Sequence, residues 1–143
     1  MKIGELAQVA QCTVETIRYY EKEGLISTPE RTTGNYRKYN SSHVERLRFI
    51  RNCRTLDMTH SEIRALLDLM NEPEDDCKAV NLLLDDHIGH VDVRIAELQH
   101  LKQQLTHLRQ QCQTERVIEG CGILHELAVM EIEANPVRHT HLG

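Results

Sequence analysis

Residues 3–26 read IGELAQVAQCTVETIRYYEKEGLI, a stretch in which two short helical patterns follow each other closely. Apolar residues recur at helical spacing from Ile3 to Ala10 and predict a short first helix. Thr13 is a suitable N-cap for a second helix, which Gly24 would end. Two short helices joined by a tight turn are typical of the helix-turn-helix motif, whose second helix enters the major groove of DNA.

The next segment, STPERTTGNYRKY at residues 27–39, is typical of a small hairpin or wing. Pro29 disfavours a helix, and the Thr33–Asn35 stretch has the residue types of a turn. Aromatic and basic residues then alternate from Tyr36 to Tyr39. The pattern predicts two short strands after the helix pair.

Two further helices are predicted from their start signals. Ser42–Glu45 and Thr59–Glu62 both match the capping box, in which the first and fourth residues satisfy each other's backbone N–H groups. Pro73 closes this unit. The sequence thus predicts a mainly α protein in three parts: a winged helix-turn-helix domain (1–71), a hinge with a dimerisation helix (72–112), and a loop, short helix and histidine-containing tail (113–143).

Charge separates the front of the chain from its back. Residues 1–54 hold ten Lys/Arg and six Asp/Glu, a net +4, whereas residues 55–143 hold seven and sixteen, a net −9. A basic front with an acidic back predicts a polyanionic partner for the front alone.

The stretch from Lys78 to Cys112 lacks proline and predicts one long helix, with its apolar seam exposed for pairing. The seam positions lie symmetrically about Arg94 and Ile95; they are Leu84, Ile88, Val91, Leu98, Leu101 and Leu105. Two identical helices that pair antiparallel across a twofold axis require such a palindrome. The alternative is that the symmetry arises by chance. We predict an antiparallel coiled-coil homodimer.

The same symmetry relates Cys77 to Cys112. In one chain they are about 52 Å apart along the helix, so they cannot share an ion. In the antiparallel dimer, Cys77 of one chain meets Cys112 of the other, and Cys121 follows in a glycine-containing loop. The spacing predicts a site of three thiolates, formed twice per dimer. The alternative is that these are ordinary half-buried thiols.

Three thiolates favour a soft metal ion. Three-coordinate sulfur suits Pb(II) or Hg(II), and Cd(II) would accept it or recruit a fourth ligand. Structural Zn(II) usually completes a tetrahedron.

Cys12 and Cys53 lie at apolar helix positions, where cysteine behaves as a small hydrophobe, and we expect them in the core.

Other features of the sequence bear on the cellular location of the protein and on a second metal site. The N-terminus lacks the apolar core of a secretory signal, and no run of 18 apolar residues is present, so we expect a cytoplasmic protein without a membrane partner. His87 and His90 share a helix face and, with Glu62, His139 and His141, form a possible second site for Zn(II) or Cd(II). The alternative is a solvated histidine pair with an unstructured tail.

Three segments resemble the MerR family of bacterial transcription activators: the opening stretch, GNYRKY, and RLRFIRNCRTLDMTHSEI. The resemblance covers about residues 1–125. NCRTLDM together with Cys77, Cys112 and Cys121 is most similar to the cadmium- and lead-responsive branch, and the step from Cys112 to Cys121 also resembles mercury-responsive members.

The resemblance implies where DNA would be bound. The family's recognition helix falls on 13–22, and residues facing the groove would be Thr13, Val14, Thr16 and Arg18. Contacts to phosphate and sugar would come from Tyr19, Tyr20, Asn35, Tyr36 and Arg37. Tyr20 could equally be a core residue, and Arg18 could instead form a salt bridge.

The resemblance also implies a mechanism. A homodimer would hold double-stranded promoter DNA whose spacer is too long for RNA polymerase. Binding of Cd(II) or Pb(II), with Hg(II) or Zn(II) possible, would bend and untwist that spacer, and the genes controlled would encode metal resistance and efflux.

Three other functions would use the same residues differently or leave some of them unexplained. A thiol redox sensor on the same DNA-binding domain would join Cys77 and Cys112 of two chains in a disulfide. A metal buffer without DNA binding would leave the basic front unexplained, and a drug-responsive regulator would need a larger effector domain. We find no arrangement typical of an enzyme: no Ser/His/Asp order, no phosphate-binding glycine loop and no paired carboxylates in a plausible cleft.

Overall fold

The computed structural model describes residues 1–34 and 37–131. Along these residues the elements are α1 Ile3–Ala10, α2 Val14–Lys22, β1 Glu30–Arg31, β2 Arg37–Lys38, α3 Ser41–Thr55, α4 His60–Met70, α5 Lys78–Arg109, a 3₁₀ turn Ile118–Gly120, and α6 Gly122–Val129. The chain forms two compact units, Met1–Leu83 and a second that begins at Leu84. The mainly helical fold class is confirmed, while the domain boundaries predicted from sequence stay predictions.

The core of the first unit comes from apolar residues on every one of its predicted helices. Leu6 of α1, Ile17 of α2, Ile50 of α3 and Ile63 of α4 are all fully buried, and so is Leu25, which follows α2. Each lies at the helical spacing that the sequence displays. Burial of these apolar side chains is the main contribution to the free energy that holds α1 and α2 against α3 and α4.

The turn between α1 and α2 is short, and Thr13 is the N-cap of α2, as the sequence predicts. Gln11 adopts a left-handed backbone, with φ 55°, and ends α1. Thr13 is the N-cap of α2, and its hydroxyl accepts the backbone N–H of Thr16 at 3.1 Å. Gly24 follows α2 with φ +73°, a conformation that side chains with a Cβ rarely adopt. Antiparallel pairing of β1 with β2 confirms the predicted hairpin.

The two capping boxes have different outcomes. At α4 the prediction is confirmed: the Thr59 hydroxyl accepts the Glu62 N–H at 3.1 Å, and the Glu62 carboxylate accepts the Thr59 N–H at 3.0 Å. At α3 the prediction of Ser42 with Glu45 is wrong. Asn40 is the N-cap, and the ring of His43 accepts the Asn40 N–H at 3.2 Å. A buried imidazole thus takes the role that the sequence pattern assigns to glutamate.

Substitution of Thr59 by alanine should destabilise the protein by about 1 kcal/mol, because an orphan N–H of α4 loses its side-chain acceptor. The measurement is urea unfolding at fixed protein concentration, since the stability of a dimer depends on concentration. The matched control is Ser61→Ala, a change on the exposed side of the same helical turn. Equal midpoints for the two variants would contradict the capping role.

Most of α5 belongs to the second unit, and its first six residues belong to the first. This helix has 32 residues and is therefore about 48 Å long. It ends at Arg109, three residues before the predicted end at Cys112. The predicted short helix of the third part is α6, Gly122–Val129. Within the described residues, no helix is both long and apolar enough to cross a bilayer.

One face of α5 exposes large apolar side chains in the single chain. Members of the predicted seam that are exposed are Ile88, Val91, Leu98, Leu101 and Leu105, and Ile95 near the symmetry centre is exposed as well. A row of exposed leucine, isoleucine and valine is a surface that a partner helix covers. We therefore expect such an exposed apolar row in a chain that dimerises through α5.

Candidate thiolate metal site and DNA interface

Two of the three predicted ligand thiols lie together. Cys112 follows the end of α5, and the loop after it returns so that Cys121 comes next to Cys112 and opens α6. The return requires a close backbone approach, because a Cβ on Gly122 would lie 2.3 Å from the carbonyl oxygen of Gln111. Glycine at position 122 therefore allows the loop to close on the end of α5.

The local electrostatics favour a thiolate at Cys121. The backbone N–H of Leu124 lowers the pKa of this thiol most; desolvation opposes that effect, and the N–H of Ile123 and the Cys112 side chain lower the pKa further. Cys121 stands at the N-terminus of α6, where helix N–H groups stabilise negative charge. A thiol with a lowered pKa next to a second thiol is a suitable donor pair for a soft cation.

Cys121 should react with iodoacetamide at lower pH than Cys53 does. Thiolate is the reactive form, the pKa of Cys121 is lowered, and burial raises the pKa of Cys53. The measurement is pulsed alkylation of reduced, metal-free protein across a pH series, with each cysteine quantified by mass spectrometry. In urea the two midpoints should coincide. A folded-state midpoint for Cys121 at or above that of Cys53 would contradict the assignment.

Substitution of Gly122 by alanine should move Cys121 away from Cys112, because the added Cβ meets backbone rather than a flexible side chain. The pKa of Cys121 should then rise, and a short cross-linker with two thiol-alkylating groups should join the two cysteines several times more slowly. The control is Gly120→Ala, where the nearest atom to the added Cβ is in the Arg116 side chain at 3.9 Å. Alanine favours helix, so helix propensity cannot explain a loss. Identical cross-linking in both variants would contradict the loop geometry.

Cys77, the third predicted ligand, is exposed and lies just before α5. Asp76 caps the start of that helix, since its carboxylate accepts the N–H of Lys78 at 3.0 Å. Cys77 also borders an apolar cavity of about 600 Å³, lined in part by Phe49, Leu66 and Met70. Cys77 belongs to the first unit, while Cys112 and Cys121 belong to the second.

The two remaining cysteines behave as the sequence predicts. Cys53 is buried, Cys12 is half-buried, and burial is the main cause that raises the pKa of each. Both are therefore thiols at neutral pH and poor metal ligands.

The residues of the possible imidazole site lie on separate elements. Glu62 belongs to α4, where it completes the capping box. His87 and His90 lie on α5 with ring centroids 6.4 Å apart, and His90 contacts the Asp86 carboxylate at 3.8 Å. His139 and His141 fall outside the described residues. The site stays a prediction.

The predicted groove-facing residues lie on the first turns of α2. Thr13 and Arg18 are exposed, while Val14 and Thr16 are half-exposed. The hydroxyls of Thr13 and Thr16 are 2.8 Å apart, which fixes both side chains at the helix N-terminus. Of the predicted wing contacts, Arg37 belongs to β2, and Asn35 and Tyr36 lie outside the described residues.

Tyr19 and Tyr20 have different surroundings. Tyr19 is 44% exposed. Tyr20 is half-buried, and burial is the first cause that raises its pKa, so its ring serves partly as core. Both rings lie near His60 of α4, a residue that the sequence reasoning missed. His60 is 41 residues from Tyr19, and no local pattern signals a contact over that separation.

Comparison with known families agrees with this geometry. Residues 1–69 match the family described as MerR HTH family regulatory protein, and residues 44–108 match the family described as MerR, DNA binding. The chain is 54% identical to the HTH-type transcriptional regulator ZntR homolog of Haemophilus influenzae, over 77% of this chain and 82% of the relative.

Two solved structures are also similar. The lead(II) complex of the regulator PbrR691 from Ralstonia metallidurans has a TM-score of 0.80 at 48% identity, and the match covers 89% of this chain and 98% of that one. MerR from Bacillus megaterium with mercury(II) has a TM-score of 0.69 at 31% identity, over 90% and 99% of the two chains.

These relatives are regulators and not enzymes. The two matching family descriptions name a helix-turn-helix regulatory protein and DNA binding. The chain belongs to the MerR family of helix-turn-helix transcriptional regulators, in its metal-responsive branch.

Proposed function

We propose that this regulator senses Cd(II) or Pb(II) through Cys77 of one chain and Cys112 with Cys121 of the other. Hg(II) and Zn(II) are the alternative effectors. Occupation of the site would switch a promoter-bound homodimer from an inactive to an activating form. The genes it controls would encode metal resistance and efflux. The regulator itself would act in the cytoplasm, where thiols stay reduced.

The proposal depends above all on the pairing of Cys112 with Cys121. A loop closed over the end of α5, with a lowered pKa at Cys121, supplies two soft donors on one chain. Two thiolates do not complete the coordination of a soft cation. Cys77 of the other chain, brought close by antiparallel pairing of the helices, would supply the third thiolate. A cation bound in this way would join the two chains.

The choice of effector rests on donor chemistry and on relatives. Sulfur-only ligation favours Cd(II), Pb(II) and Hg(II) over ions that prefer oxygen. A 48% identical regulator is known in complex with lead(II), which supports Pb(II) for this chain. A 31% identical one binds mercury(II), which keeps Hg(II) among the alternatives. An additional imidazole site at Glu62, His87, His90, His139 and His141 would suit Zn(II) or Cd(II) and is proposed as secondary.

DNA distortion is the proposed output. The recognition helix and wing would fix the dimer on two half-sites, and the metal-bound form would bend and untwist the spacer between them. For this to happen, the cation must bind one of two dimer forms more tightly, because a ligand shifts an equilibrium only by its differential affinity.

The test is run-off transcription with the reduced protein, on an operator recovered by selection from random DNA and placed between the two polymerase elements. Cd(II), Pb(II), Hg(II) and Zn(II) are titrated in parallel. We expect activation by the first two at the lowest free concentrations, loss of activation in Cys112→Ser, and retention in the control Cys12→Ser.

Each contrary outcome points to a different function. Activation by hydrogen peroxide, but by none of the metals, would identify a redox sensor instead. Stoichiometric metal binding with no selected operator would identify a metal buffer. Activation in Cys112→Ser equal to that of the wild type would refute the proposed thiolate site while leaving DNA binding intact.

A further inference from the structure

A cluster of three rings joins the recognition helix to α4. Its members are Tyr19 and Tyr20 of α2 and His60 of α4, which we term the ring cluster. The Tyr19 hydroxyl lies 3.2 Å from Nδ1 of His60, and the two ring centroids are 5.4 Å apart. Tyr20 meets the same imidazole edge to face at 5.9 Å. The cluster is the point at which a side chain of α4 reaches a hydroxyl on the exposed side of α2.

His60 is held firmly enough to orient a neighbour. It is the first residue of α4, directly after the N-cap Thr59, whose capping box with Glu62 fixes the backbone of that turn. One turn later, Arg64 donates to the backbone carbonyl of Glu23 at 2.7 Å, just past the end of α2. His60 and Arg64, which are one turn apart on α4, therefore both hold the C-terminal half of α2 against α4.

We propose that His60 is a positioning residue of the DNA interface, which holds the Tyr19 hydroxyl so that its proton points toward a DNA phosphate. The inference rests on the proposed DNA contact of Tyr19. A tyrosine hydroxyl has one proton, and this proton can go either to His60 or to an external acceptor. When Nδ1 of His60 carries its own proton and donates to the Tyr19 oxygen, the hydroxyl proton is left for a phosphate oxygen.

Exposure of the residues agrees with this division of roles. Tyr19 is 44% exposed, so its hydroxyl is accessible to an external acceptor, whereas the Tyr20 ring is half-buried and packs beneath it. An anionic acceptor makes the resulting hydrogen bond a charge-assisted one, which is stronger than a neutral bond. His60 thus contributes to DNA affinity without touching DNA.

The experiment is a double-mutant cycle on operator affinity, with Tyr19→Phe, His60→Leu and the double variant of the full-length dimer. Tyr19→Phe keeps the ring packing and removes only the hydroxyl. Each single change should weaken binding roughly tenfold per half-site, in the range for a hydrogen bond to a charged group. In the Tyr19→Phe background, His60→Leu should then have almost no further effect.

A conservative variant separates positioning from packing. His60→Asn keeps an N–H donor at the place of Nδ1 and should recover most of the affinity that His60→Leu loses. Ser61→Ala, an exposed change on the same turn, is the matched control. Thermal unfolding of every variant shows whether an affinity loss merely follows a loss of stability.

The possible failures are distinguishable. Unchanged affinity in Tyr19→Phe would refute the proposed DNA contact itself. A loss in Tyr19→Phe with none in His60→Leu would overturn only the positioning role. Equal losses from His60→Leu in both backgrounds would mean that His60 acts independently of the Tyr19 hydroxyl, and this result also overturns the inference.

Discussion

A mixed dimer of two cysteine variants should bind one soft metal ion, although neither parent homodimer binds any at the same concentration. One parent carries Cys77→Ser, and the other carries Cys112→Ser with Cys121→Ser. In the mixed dimer, one of the two cross-chain sites loses all three thiols, and the other keeps all three. Within a single chain, the length of α5 separates Cys77 from the other pair.

The measurement is the ultraviolet thiolate-to-metal charge-transfer band during titration with Cd(II) or Pb(II). The two variants are co-expressed with different affinity tags, and the mixed dimer is purified through both. Loss of even an outer-shell partner lowers metal affinity about 10- to 100-fold, so loss of a direct ligand should cost at least as much. Wild type and Cys12→Ser should saturate at two ions per dimer.

Two outcomes would contradict the cross-chain site. Full saturation of the Cys77→Ser homodimer would mean that Cys112 and Cys121 suffice. No band in the mixed dimer would mean that the three thiols do not meet across the dimer, and the palindrome of α5 would then be a coincidence.

Leu98→Asp should convert the dimer into monomers and abolish operator binding. Leu98 lies near the centre of the seam and is 46% exposed in the single chain, a fraction that a partner helix must cover. In the antiparallel register its counterpart is Val91, and the twofold axis repeats the contact. Each damaged contact costs at least about 2 kcal/mol, so the dimer dissociation constant should rise roughly a thousandfold.

Sedimentation equilibrium measures the change in dimerisation, and operator affinity measures its consequence. Gln103→Asp is the matched control, because it adds the same charge at an exposed position of the same helix away from the seam. Retention of the dimer by Leu98→Asp, or equal dissociation of the two variants, would show that the seam is not the dimer interface. A monomer contacts only one half-site, so its operator binding should be undetectable at concentrations that saturate the wild-type dimer.

Much of the fold could be predicted because its signals are local. The helix pair, the wing and the Thr59–Glu62 box depend on residues three or four positions apart, within reach of one helical turn. The box at α3 was misassigned because Asn40 and His43 use an imidazole where the pattern requires glutamate. The His43 ring is buried, with its edge or face against Tyr39 and its Nε2 3.2 Å from the carbonyl oxygen of Ser27, and local sequence does not reveal these contacts.

The candidate metal site was predictable in part for a related reason. Cys77 and Cys112 are recognisable as a pair because a long helix converts residue number into distance along an axis. The return of Cys121 to Cys112 depends on the path of a loop and on one close approach, that of Gly122 to Gln111. Loop paths follow from packing rather than from periodicity, so a glycine in that loop could be noted but its role could not be assigned.

Residue spacing alone predicts the helix-turn-helix and the apolar seam of α5, because both follow from periodicity and capping. The thiol ligands are predicted from the symmetric spacing and the chemistry of the cysteines, and they stay a proposal. The environment of Cys121 and the contact of His60 with Tyr19 are seen only in the folded chain. The first depends on where the N–H groups of α6 lie, and the second joins residues 41 positions apart. Such contacts form only when packing of the core brings separate elements together, and no short stretch of sequence encodes that arrangement.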